Sequence, residues 1–104
     1  MSVAVTLKVS AKSNPNAVAG ALAAALRERE SSELQAVGAG AINQAIKAVA
    51  IARSYLRGAH LDLVCTPSFV VVPIGDSERT AISLFVERRK LAANAGEENV
   101  TVEG

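Results

Sequence analysis

The chain has one cysteine, no tryptophan and three aromatic residues (Tyr55, Phe69, Phe85) among its 104 positions. A single cysteine excludes a disulfide scaffold. No apolar run reaches the ~20 residues of a membrane-spanning helix. The first residues lack a basic stretch followed by an apolar one, so no signal peptide is expected. A reducing cytoplasmic setting and no membrane partner follow as expectations. So few aromatics also disfavour single-strand recognition by base stacking.

What the chain has instead is small aliphatic residues. Half of it is hydrophobic, with 20 Ala, 13 Val, 9 Leu and 5 Ile. Such a composition argues against disorder and for one domain with a thin core, in which helix and sheet approach closely. The net charge of +1 hides an asymmetry. Residues 1–92 hold all 11 basic residues against 7 acidic ones, a net of +4, while residues 93–104 hold Glu97, Glu98 and Glu103 alone, a net of −3. The mild positive charge of the larger part permits an anionic partner. The division expected is a domain over 1–90 and an acidic, flexible tail over 91–104.

Residues 3–10 alternate, with Val3, Val5, Leu7 and Val9 on one side, which predicts a half-buried strand. Ser13 or Asn14 can cap a helix opened by Pro15 and running to about Arg29. Ser31-Ser32 then break the pattern, and Glu33 to Val37 read as a second strand. Gly38-Ala39-Gly40 turn the chain into a second helix, about Ala41 to Arg57, which buries Ile42, Ala45, Ile46, Val49, Ala52 and Leu56 and ends at Gly58. A third strand covers Leu61 to Val72, with a bend or bulge at Pro67. Pro73 to Glu78 form a turn-rich tip, and Thr80 to Arg88 a fourth strand. The order β-α-β-α-β-β predicts a two-layer α/β sandwich, a four-stranded mixed sheet with both helices on one face.

Catalytic chemistry has little to stand on. His60 and Asp62 would share one face of a strand and Cys65 the other, so neither a tetrahedral metal site nor a Cys-His dyad converges. No catalytic residue, metal or cofactor is expected. The loops before the two helices are more informative. Gly38-Ala39-Gly40 precedes a helix, where exposed N–H groups and the positive end of the helix dipole suit phosphate. A tight turn with close packing explains the same glycines. Lys12, Ser13 and Asn14 precede the first helix in the same way. Both loops leave one end of a parallel strand pair, where ligands favour binding. The candidate binding residues are Lys12, Ser13, Asn14, Asn16, Gly38, Gly40, Asn43, Gln44, Lys47 and Arg79, with Arg88 to Lys90 as weaker additions.

The stretch from Leu7 to Arg53, LKVSAKSNPNAVAGALAAALRERESSELQAVGAGAINQAIKAVAIAR, resembles the stage V sporulation protein S family of bacteria. DLVCTPSF and ERTAISLFVE continue the resemblance, which spans about Val5 to Arg89. It implies a cytoplasmic regulator linked to sporulation, septation and cell division. More distantly the chain resembles Alba-type chromatin proteins, which bind DNA and RNA as dimers and share the β-α-β-α-β-β order. That resemblance implies an Alba-like fold, with Lys12 and Asn16 matching a lysine and an asparagine of the first loop. The Alba-type turn Arg-Gly-Arg-Ala-Ile reads Gly38-Ala39-Gly40-Ala41-Ile42 here, so both arginines are glycine. The serine and lysine that follow in Alba proteins correspond to Asn43 and Gln44, and their long hairpin arm to a short tip near Pro73 to Arg79.

The leading expectation is a non-catalytic regulator that binds DNA or RNA through phosphate contacts and acts as a homodimer, with the apolar run Phe69-Val70-Val71-Val72 exposed. Two alternatives stand beside it. One is a protein-interaction module using an alanine face of the second helix (Ala48, Ala52). The other is a small-ligand or nucleotide sensor using the glycine turn.

Overall fold

The computed structural model describes residues 5–91. Its elements are β1 (Val5–Val9), α1 (Pro15–Glu28), β2 (Ser31–Ala36), α2 (Ala39–Leu56), a short 3-10 turn (Arg57–Ala59), β3 (Leu61–Ile74) and β4 (Ser77–Lys90). The strands form one mixed sheet in the order β1-β2-β4-β3, with β1 and β2 parallel and the other neighbours antiparallel. This is the two-layer, Alba-like α/β architecture expected. Residues 92–104, with most of the anticipated acidic tail, lie outside the described residues.

Alternation along each strand decides the core. Val9, Leu34, Ala36, Leu84 and Val86 point to the helix layer and are buried with Leu22, Leu26 and Leu56. The opposite face stays open, with Thr6, Lys8 and Phe85 exposed. On that face the Glu33 carboxylate accepts hydrogen bonds from the Ser83 and Thr6 hydroxyls. The Ser83 bond, helped by Thr6 and Gln35, holds the Glu33 carboxyl below its ordinary value against the opposing pull of burial.

Helix α2 is rotated from the expected stripe. Its buried row is Ala41, Ala45, Ala48, Ala52 and Leu56, whereas Ile46 is 51% exposed. Small side chains let the helix sit close to α1 and the sheet, and the bulkier isoleucine is displaced to the flank. Ala48 and Ala52 are fully buried, so they cannot serve as a face for a partner helix. The helix also does not stop at Gly58. It tightens into the 3-10 turn, and the left-handed residue that ends it is His60, at φ 58°. His60 therefore precedes β3 and shares no strand face with Asp62. Similarly, β2 begins at Ser31, and the buried Ser32 hydroxyl donates to the Val5 carbonyl at 2.7 Å. The serines are part of the strand rather than a break before it.

The largest departure is the hairpin. Its two strands have 14 residues each, joined by the two-residue turn Gly75-Asp76. Gly75 has φ 59° and Asp76 has no positive φ, which identifies a type II′ turn. The last β2–β4 pair is Ala36 with Ile82, so the five pairs from Val70–Ala81 to Ile74–Ser77 project beyond the sheet. At ~3.3 Å per residue that arm is about 16 Å long. Residues 73–78 are therefore not the turn-rich tip expected, since only Gly75-Asp76 turn and the rest is paired strand. The register of β3 on β4 is continuous through Pro67, with no bulge. The His60 carbonyl accepts from the Leu91 N–H at 2.9 Å, so even-numbered positions of β3 bond to β4 and odd-numbered ones face outward. Pro67 and Pro73 are both outward positions, where a missing N–H costs nothing.

Candidate nucleic-acid interface

The parallel pairing of β1 with β2 places the loop 10–14 and the turn at Gly38 at one end of the sheet. The first loop is tied down by its own side chains. The Ser13 N–H donates to the Ser10 carbonyl at 3.0 Å, and the Ser10 N–H to Ser13 Oγ at 2.9 Å. Ser10 Oγ also accepts from the Lys12 N–H at 3.2 Å. Asn14 is the cap of α1, with Oδ1 accepting from the Asn16 N–H at 2.9 Å. Pro15 occupies the first helical position, where its lack of an N–H is harmless.

Helix α2 starts differently. Its N-cap is Gly38, which offers no side-chain cap and leaves the first-turn amides without one. Gly38 sits at φ 89°, ψ 160°, a region essentially restricted to glycine. Gly40 has another reason to be glycine. A Cβ there would lie 2.9 Å from the Ala11 Cβ, so α2 meets the first loop only without a side chain. Both glycines thus have structural roles, as the packing explanation of the turn requires. Gln44 completes the link, its Nε2 donating to the Ser13 carbonyl at 2.9 Å. The two helix starts are therefore locked side by side, one capped and one open.

Lys12, Asn14, Asn16, Gly38, Gly40, Asn43 and Lys47 are exposed around this junction. Ser13 and Gln44 are partly buried because they build it. Helical spacing sets Gln44 toward α1 and puts Asn43 and Lys47 on the outward side of α2, one turn apart. Neither Lys12 nor Lys47 has an ion-pair partner among the described residues. Arg79 stands apart. It is paired with Val72 on the arm, ~10 Å past Ile82, and alternates to the open side of the sheet.

The basic cluster near the end of β4 belongs elsewhere. Arg88 donates to the Leu26 and Arg27 carbonyls at 2.9 and 3.1 Å, closing the C-terminus of α1 at the far end of the sheet. Arg89 lies 3.9 Å from the Asp62 carboxylate. The weaker candidates Arg88 and Arg89 are thus engaged structurally. No spacing rule in the sequence marks these partners, because each bond joins elements far apart in the chain.

Asp62 is the most perturbed acid. Arg53 grips it through Nε at 2.5 Å and Nη2 at 3.2 Å, and the Leu63 N–H adds a third bond at 2.9 Å. The Arg53 hydrogen bond chiefly, with the Leu63 N–H and the charges of Arg53 and Arg89, outweighs burial and takes the carboxyl from 3.8 down to about 2. The folded-state value is the lower one, so the stabilisation is complete above about pH 4 and is lost as pH falls toward about 2. Arg53 is 53% exposed, and screening leaves about 1–2 kcal/mol. Urea unfolding at pH 5 and pH 2.5 should show an Asp62→Asn variant losing less stability on acidification than the native chain, by about that amount. Identical losses would refute this role.

Burial pushes the Cys65 thiol up, away from the reactive thiolate. Among the described residues no group of three or more His, Cys, Asp or Glu side chains could hold a metal ion, and no helix is long and apolar enough to cross a membrane.

Comparison with known families agrees with this architecture. The family model for stage V sporulation protein S matches residues 5–89. The chain belongs to the stage V sporulation protein S family. It is accordingly a sporulation-related protein, and the matched span takes in every described strand and helix but for the last residue of β4, loops and arm included. Two features of this family member lay beyond sequence reasoning. The contact of Gln44 with Ser13 was one, since no local pattern announces it. The length of the arm was the other, since the apolar run 69–74 and the polar run 77–80 show no shared alternation that would announce their pairing.

Proposed function

We propose that this protein is a non-catalytic cytoplasmic regulator that binds DNA or RNA through phosphate contacts at the paired helix starts. The carrying observation is the Gln44–Ser13 bond together with the Gly40–Ala11 approach. They hold an uncapped helix N-terminus beside a second helix start, with two lysines at the rim that have no ion-pair partner among the described residues. Backbone amides and the helix dipole would take one phosphate, and Lys12 and Lys47 its neighbours. Asn14, Asn16 and Asn43 would add neutral hydrogen bonds, and Arg79 would reach a further phosphate from the arm. Such contacts position a nucleic acid without reading its bases, so binding is weakly sequence-specific.

The acting form in this reading is a homodimer. Arg53 reaches β3 from one flank of α2, and helical spacing puts Ile42, Ile46 and Val49 on that flank. Beyond them on β3 lie Pro67, Phe69 and Val71, with Phe69 79% and Val71 63% exposed. A second copy covering this surface would bury its large side chains and bring two loop pairs to one duplex. The outward prolines of β3 bar extension of the sheet at this edge, so the contact would be made by side chains.

Fluorescence titration of labelled duplex DNA and RNA, with light scattering on the same samples, tests the reading. Three phosphates neutralised by Lys12, Lys47 and Arg79 imply an affinity loss of about 40-fold per protomer between 50 and 200 mM salt. A monomeric protein indifferent to duplex at 50 mM salt would refute it.

A further inference from the structure

The two outer edges of the sheet are built differently. On β3, Pro67 and Pro73 occupy outward positions and remove two of the N–H groups an added strand would need. On the other side, β1 contains no proline, pairs with β2 in unbroken register and has no second neighbour among the described residues. Among the described residues one edge is guarded and the other is not, and an unguarded edge invites pairing.

The open edge ends in a cleft. Val72 and Ile74 of the arm enclose with Lys8, Val9, Gln35 and Val37 a space of about 210 Å³. That is the room of about seven waters, and it falls short of the ~300 Å³ at which small-molecule pockets begin. It suits one or two aliphatic side chains. Its rim offers one positive charge. Lys8 is exposed and has no ion-pair partner among the described residues, while the nearby Glu33 is held by Ser83 and Thr6.

We propose that the outer edge of β1 and this cleft dock an extended peptide segment of a partner protein. The segment adds a strand beside β1, sets an aliphatic side chain in the cleft and places a carboxylate on Lys8. Main-chain bonds supply affinity, and the cleft and the lysine supply selection. The site shares no residue with the paired helix starts, so it would serve a protein partner independently of nucleic acid.

The test uses the full ¹⁵N-labelled chain and the synthetic hexapeptide Thr-Val-Thr-Val-Asp-Val. Amide shifts are expected along residues 5–9 and at Val72 and Ile74. Methylation of alternate peptide amides should abolish them, and Lys8→Glu, an exposed position that leaves the core intact, should weaken binding at least tenfold. Lys12→Ala/Lys47→Ala should leave it unchanged. Absence of shifts at millimolar peptide, shifts confined to β3 or to the helix starts, or indifference to Lys8→Glu would each overturn the proposal.

Discussion

Leu34→Ala is expected to destabilise the domain by about 3 kcal/mol, the largest loss from any single side chain of the sheet. Leu34 is fully buried on β2, between Leu7 of β1 and Leu84 of β4 and beneath the helix layer. Half of the buried cluster is alanine, which packs closely but buries little area per residue. The few buried leucines therefore carry a large share of the apolar burial. Domains this size unfold at about 4–8 °C lower per kcal/mol lost, so the melting midpoint should fall by about 15 °C. Glu87→Ala, at an exposed position of the open sheet face, should move it by no more than about 3 °C. A loss below about 1 kcal/mol for Leu34→Ala would mean that the core is not seated on this leucine.

Gly38→Ala is the second large effect, about 2 kcal/mol, and it comes from the backbone alone. No atom lies within 4 Å of a Cβ built at Gly38, so crowding is not the cause. The cost is the glycine-only conformation at φ 89°, ψ 160°. Relief of that strain would swing the start of α2 and its open amides away from the first loop, so nucleic-acid affinity should fall with stability. Gly58→Ala supplies the control. It has neither a positive φ nor a close neighbour, and its melting midpoint should stay within about 3 °C of the native value. Equal behaviour of the two variants in thermal unfolding would contradict the conformational argument.

Much of this was legible from residue order. Period-two alternation marked β1 and β4, and Asn14-Pro15 marked the start of α1. The strand-to-helix glycines marked α2, and together they specified a two-layer sandwich. What failed has a physical pattern. The stripe of α2 was assigned by hydrophobicity, yet in an alanine-rich core the closest-packing face wins and Ile46 is pushed outward. Gly58 was expected to end α2, but the left-handed residue is His60, because the 3-10 turn delays the reversal. Pro73 was read as part of a turn-rich tip, although proline is tolerated at an outward position of an edge strand. At the candidate site, sequence order brought the two loops to one end of the sheet. It could not separate the lysines without an ion-pair partner among the described residues from the arginines already bound to helix carbonyls and to Asp62.

The paired helix starts as a phosphate-binding surface are the central claim. Titration of duplex DNA and RNA with the native protein and with Lys12→Ala/Lys47→Ala, at 50 and 200 mM salt, tests it most directly. The account predicts that the double variant, folded as judged by an unchanged melting midpoint, binds at least tenfold more weakly at the lower salt. Its log–log salt dependence should be shallower by about two per protomer. Native-like affinity and salt dependence in that variant would contradict the account.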